Sequence, residues 1–227
     1  MGDNASWDFP HFGANFWEDW ERPIHIEFYE TDGTLGFKQD AGVKIFGNYS
    51  RGLPQKSLAI FARAEYGKNE IDYKIFSNKN IENFKSIVLR NSGNDWFGNG
   101  EWTASMFRDG MNTGLMDNTG LDHQAYRPSI VFINGEYWGI HNIREKVNED
   151  FLAANNNGVD PDELDELEGG GEIIEGVNQE YLDMINYVEN NNLSISENYN
   201  HVSHLIDIEN FIDYYVIQIF IGNTDWP

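Results

Sequence analysis

The apolar residues of this chain alternate one-in-two through most of its first two thirds and then fall to a three-to-four spacing. That switch of period constrains the fold more than any other feature. In "PIHIEFYE", Ile24, Ile26 and Phe28 fall on one side and His25, Glu27 and Tyr29 on the other, the pattern of a half-buried strand. Asp32-Gly33 in "TDGTLGF" supplies a hairpin-type turn. "AGVKIFG" and "KSLAIFAR" repeat the alternation, and "IDYKIF" and "KSIVLRNSG" follow as further strands. "YRPSIVFINGEYWGIHNIRE" predicts two strands joined at Asn134-Gly135, the strongest short hairpin signal in the chain.

Helical spacing first appears in "EWTASMFRDGMNTGLM", with Trp102, Met106, Met111 and Leu115 on one side, and it dominates after Glu145. "NEDFLAANN" predicts a short helix. "NQEYLDMINYVEN" predicts an amphipathic one with Tyr181, Leu182, Ile185 and Val188 as its buried stripe. The last, "DIENFIDYYVIQIFIG", reads as a buried helix with Asp207 as N-cap and Gly222 as terminator. Between them "GVDPDELDELEGGGEIIEG" is acidic and Gly-rich, a connecting segment with one short strand in "ELDELE". Strands first and helices last predict an α+β architecture, an N-terminal mixed or antiparallel sheet followed by a helical part. One domain over 1–227 is expected, with a sub-boundary, if any, at 168–172.

Charge narrows the function classes. With 38 Asp and Glu against 15 Lys and Arg the net charge is −23, which repels nucleic-acid phosphates and anionic membranes. No apolar run approaches the length of a membrane span, and the absence of cysteine excludes disulfides and Cys-based zinc sites. Met1-Gly2-Asp3 leads straight into "NASWDFP", so any signal peptide of the natural protein is expected to lie outside this chain.

Four stretches place chemistry-bearing residues where a strand hands over to a loop. "GNYSRGLPQKSL" sets Ser50, Arg51 and Lys56 in a Gly-containing loop feeding a strand, a workable phosphate cradle or simply a polar hairpin loop. It does not match a Walker loop. "LRNSGNDW" offers Arg90, Asn91, Ser92, Asn94 and Asp95, a set that lines a site or caps the next element. "NIREKVNED" carries Glu145 between Arg144 and Lys146, as an orienting ion-pair partner or a surface charge cluster. "GNTDWP" puts Asp225 just past a helix C-terminus, where the macrodipole disfavours a carboxylate unless a cation offsets it. The pair His201 and His204 in "HVSH" is a weak metal signal, and the common hydrolase, zincin and EF-hand motifs are absent.

Taken together and in order, "AGVKIFGNYSRGLPQKSLAIFARAEYG", "VLRNSGNDW", "RPSIVFINGEYWGIHNIREKVNEDFL" and "DIENFIDYYVIQIFIGNTDWP" resemble the CotH kinase family, relatives of bacterial spore coat protein H. The resemblance spans about Glu27 to Pro227. It implies a divergent, reduced protein-kinase-like fold that uses ATP with Mg2+ or Mn2+ to phosphorylate Ser or Thr of exported or coat proteins. On this sequence Lys56 then corresponds to the phosphate-binding lysine, Glu145 to its ion-pair partner, and Asp225 to the catalytic base or a metal ligand. Ser50, Arg51, Arg90, Tyr137 and Trp138 become candidates for nucleotide contact, with Tyr126 and His141 on nearby strands. The family continues past "DWP" to an Asn and a later Asp pair that hold metal, and this sequence stops at Pro227, so little transfer activity is expected without them.

A second class of function fits the same composition: a non-catalytic extracellular module, for instance in a polysaccharide-degrading assembly. Its aromatic residues and acidic surface would meet glycan or Ca2+. ATP with Mg2+ raising the melting temperature would favour the first class, and a shift with Ca2+ or a glycan the second.

Overall fold

The computed structural model describes residues 5–96, 104–224 and 226. It is α+β and divides into two compact units, residues 1–114 with 124–146, and residues 115–123 with 147–227.

The first unit is built on β1 (Arg22–Tyr29), β2 (Leu35–Phe46), β3 (Ser57–Phe61), β4 (Ile71–Asp72), β5 (Asn83–Phe84), β6 (Ser86–Arg90), β7 (Tyr126–Ile133) and β8 (Glu136–Glu145). Six of these form one antiparallel sheet in the order β1-β2-β3-β6-β8-β7. The sheet curls, so residues of both edge strands, Ile24, Ile26 and Phe28 on β1 and Val131 and Ile133 on β7, line one apolar hollow of about 620 Å3. Period-2 sequences build this sheet because each strand has one face to bury: Ile24 sits opposite Ala41, Val43 opposite Ile60, and Leu89 opposite Ile143. The core is completed by Ile71, Ile75, Phe76 and Phe84.

Here the structure departs from the periodicity. "IDYKIF" pairs only through Ile71 and Asp72, in a separate two-stranded sheet with β5. Ile75 and Phe76, at 0% and 1% exposure, leave the extended path to plug the core. Burial, not strand pairing, is what their side chains obtain there.

Asn134-Gly135 forms the expected turn, with positive φ at both residues (51° and 82°), which Asn and Gly tolerate. Helix α1 covers only Arg108–Gly114. Met106, expected on its apolar side, has φ 61° and lies before the helix, while Met111 and Leu115 are exposed; Trp102 lies outside the described residues.

The second unit holds α2 (Glu149–Asn155), the hairpin β9 (Glu166–Glu168) and β10 (Glu172–Glu175), α3 (Gln179–Asn190), α4 (Ser196–Val202) and α5 (Ile208–Phe220). Asn148 caps α2 by accepting from the Phe151 amide (3.2 Å), and Asp207 caps α5 by accepting from Asn210 (3.0 Å). Gly222, at φ 61°, ends the last helix as expected. Three expectations change. Gly169–Gly171, the anticipated sub-boundary, is the turn of the β9–β10 hairpin inside this unit. On α3, Leu182 is exposed and Met184 takes its place in the stripe. Helix α5 is not buried: only Ile217 is, with Ile219 and Phe220 largely exposed.

Candidate functional site

Lys56 stands at the entrance of β3, and its surroundings are built by the connection from β2. Gly47 leaves β2 at φ 105°, where a side chain would strike the Ser50 hydroxyl oxygen at 2.4 Å, and the chain then makes a 3-10 turn over Tyr49–Gly52. That turn brings Ser50, Arg51 and Lys56 together. The Lys56 ammonium donates to the Arg51 carbonyl (2.5 Å) and lies 3.8 Å from the centroid of the Phe16 ring. The Arg51 guanidinium donates to the Gly47 carbonyl (2.5 Å) and lies 5.5 Å from the Trp17 ring. Partial burial pulls the Lys56 pKa below the ordinary lysine value.

Beneath this loop a hydrogen-bonded floor ties three strands. Asn91 donates through its side chain to the Gln55 carbonyl (2.6 Å) and through its amide to the Ser57 hydroxyl (3.0 Å). His141, fully buried, lies 3.0 Å through Nε2 from the Lys56 carbonyl and 3.2 Å through Nδ1 from the Gln55 side-chain amide. A carbonyl only accepts, so the Nε2 contact is made by a ring N–H donating to the Lys56 carbonyl. Burial lowers the His141 pKa, against hydrogen bonds to the Lys56 and Gly139 backbones. Lys56 is therefore mounted on a rigid base: its carbonyl is held from below while its ammonium faces the loop.

Among the described residues no carboxylate pairs with Lys56 or with Arg51. Both cations instead lie against aromatic rings. A compact ammonium and a planar guanidinium are the donor types that phosphate oxygens accept, so the pair fits a nucleotide's phosphates.

Glu145 is placed differently from the expectation. The register pairs Ile60 with Ile87 and Ile87 with Glu145, whereas Lys56 lies beside His141. Four residues along the strand separate the two side chains, about 13 Å at the usual strand rise. Glu145, 3% exposed, instead pairs with Lys79 (2.8 Å) and accepts from the Ala125 amide (2.8 Å). Lys79, from the loop between β4 and β5, drew no attention in the sequence because it sits in the turn-like stretch "SNKN".

Arg90 ends β6 and contacts Asp109 at the start of α1 (3.3 Å), and the same carboxylate takes the fully buried Arg144. Arg144 also donates to the Thr113 hydroxyl and the Gln124 carbonyl, both at 3.1 Å. Burial lowers its pKa, against the neighbouring Asp109 charge. Asp95 is buried; burial pushes its carboxyl up, but the Ser105 hydroxyl (2.6 Å), the Ser105 amide (2.7 Å) and the Arg108 amide (2.9 Å) outweigh this and hold it below the usual range. Its bonds are used in closing a loop. Asn142, missed in the sequence, donates to the Ser92 hydroxyl (2.8 Å) and the Met106 carbonyl (2.7 Å), locking two residues with positive φ. The polar run "RNSGND" hinted at this lattice; nothing marked Met106.

Tyr137 and Trp138 sit toward the β7–β8 turn from His141, roughly 13 and 10 Å along the strand, and are 62% and 42% exposed. They do not join Lys56. Tyr126 packs on α1, where a side chain at Gly110 would meet its ring at 2.3 Å. In the second unit Asp225, the candidate base and metal ligand, lies outside the described residues. The His201 ring stacks near Tyr187 (4.2 Å) and His204 contacts the Asn200 carbonyl. Among the described residues no group of three or more His, Asp or Glu is arranged to hold a metal, and no helix is long and apolar enough to cross a membrane.

No curated protein matches the sequence. The sequence model of the family described as "CotH kinase protein" matches residues 43–227, which takes in the Lys56 loop, the β7–β8 hairpin and everything after it. With most of its length inside that match, the chain belongs to the CotH kinase protein family.

Proposed function

We propose that the chain forms the nucleotide-binding and transfer region of a kinase that moves the γ-phosphate of ATP to a Ser or Thr hydroxyl of a coat or exported protein. Family membership supports a kinase-like domain with a protein substrate. The observation that carries the nucleotide part is the pair Lys56 and Arg51, two cations with no acid partner among the described residues, at a rigid strand entrance.

In this reading Lys56 and Arg51 hold phosphate oxygens, and small residues of the Gly47–Gly52 turn let backbone amides approach. Asp225 accepts the proton of the attacking hydroxyl, whose oxygen bonds to the γ-phosphorus as the bond to ADP breaks. A divalent cation such as Mg2+ or Mn2+, when bound, supplies neutralisation of the phosphate charge. Glu145 acts at a distance by fixing Lys79 and the Ala125 backbone, a positioning role.

Thermal unfolding tests this. ATP with Mg2+ at one hundred times its Kd stabilises a binding protein by about 2.7 kcal/mol, and a tenfold weaker Lys56→Ala variant at the same ATP concentration should gain about half as much or less. The exposed Tyr137, Trp138, Ile130 and Phe132 favour the second reading, a binding module. A shift with Ca2+ or a glycan and none with ATP would decide for that module.

A further inference from the structure

The residues that precede β1 lie outside the family match, and Phe9–Trp17 among them are folded over the Lys56 loop. Phe12 and Trp17 pack together (4.7 Å), Phe12 meets Tyr49 edge-on (6.0 Å), and a side chain at Gly52 would collide with Phe9 at 2.6 Å. Trp17 lies under Arg51 and Phe16 over Lys56, so both cations are faced by aromatic rings of one segment. Its backbone hydrogen bonds run within itself, from Ser6 to Phe12, His11 to Asp8 and Trp17 to Ala14. Beyond it, the chain is fastened by Asp19 to Lys44 (3.0 Å) and by Glu21 to Arg63 (2.9 Å). The segment is thus a strap, anchored beyond Trp17, whose hold on the loop consists of ring contacts and the seating of Pro10 against Gly52.

We infer that Phe9–Trp17 is an autoinhibitory cover: Phe16 occupies the face of Lys56 that an anionic phosphate would take, and the lysine is freed when the strap lifts about its Asp19 and Glu21 anchors. This rests on the reading that Lys56 binds phosphate. An ammonium–phosphate hydrogen bond is stronger than a cation–π contact, so a polyphosphate can displace the ring, while water does so poorly.

Amine-selective acetylation with peptide mass spectrometry tests the cover without requiring nucleotide binding. In the wild type Lys56 should react slowly relative to the exposed Lys38 and Lys68. Phe16→Leu, which keeps an apolar side chain but removes the ring, should raise the Lys56 rate at least threefold, and Phe16→Tyr should leave it within twofold of wild type. Lys79, largely shielded in its pair with Glu145, monitors global unfolding; if Phe16→Leu also exposes Lys79, the wild-type Lys56 rate decides, and a rate equal to that of Lys38 overturns the cover. An unchanged Lys56 rate in a folded Phe16→Leu variant overturns it too. Adding ATP with Mg2+ to the leucine variant separates the two claims. Protection of Lys56 supports both, and a raised rate without protection removes the phosphate role while the ring contact stands.

Discussion

Glu145 and Lys56 were expected to pair, and the residue that separates them is the strand register itself. Glu145 pairs with Lys79, so loss of Lys79 removes a cation from a carboxylate at 3% exposure that keeps the Ala125 amide. Lys79→Met should destabilise the protein by about 3–5 kcal/mol, whereas Lys56→Ala, which removes no ion pair, should cost under about 1 kcal/mol. Denaturant unfolding of the two variants compares them directly. His141 makes a second residue-scale prediction. Its folded pKa is lowered, so below the unfolded value of about 6.5 the unfolded chain binds the extra proton. The stability due to the neutral ring is therefore present above pH 6.5 and lost as pH falls through that value toward the folded pKa. Replacing His141 with Gln should flatten this part of the stability–pH curve between about pH 7 and 5.

At the scale of elements, α1 and β7 meet through a position only glycine fits. Gly110→Ala places a methyl against the Tyr126 ring and should cost about 1–3 kcal/mol by overpacking, read as a lowered denaturation midpoint; if Tyr126→Ala in the same chain does not relieve part of it, the packing account fails. Elements with a clean period and a local stop signal were legible in the sequence: β1, the Asn134-Gly135 hairpin, and α5 with its Asp207 cap. What was not legible depends on distant partners. Ile75 and Phe76 look like strand residues until the core claims them, and β10 hides in a Gly-rich stretch because hairpin pairing adds order that composition does not reveal. Helix α4 was missed because "SENYNHV" has no apolar stripe. The candidate site divided the same way. Residue types that suit phosphate were visible at Ser50, Arg51 and Lys56, while the ring of Phe16 on Lys56 comes from a segment with no motif of its own.

For the whole molecule, charge is the dominant physical term besides the core. A net charge of −23 means self-repulsion that dissolved salt screens over a Debye length of about 10 Å at 0.1 M. Raising NaCl from 20 to 300 mM should therefore raise the melting temperature, and a fall would mean that specific ion pairs such as Lys79–Glu145 outweigh the repulsion. The same field disfavours anion sites, and the functional account rests on the Lys56–Arg51 loop, where two cations meet aromatic rings and, among the described residues, no carboxylate. Calorimetric titration of ATP with Mg2+, and of AMP, into wild type and Lys56→Ala tests that account most directly. It predicts that the alanine variant binds ATP at least tenfold more weakly, about 1.4 kcal/mol, with AMP affinity unchanged; equal ATP affinity in the two proteins would contradict it.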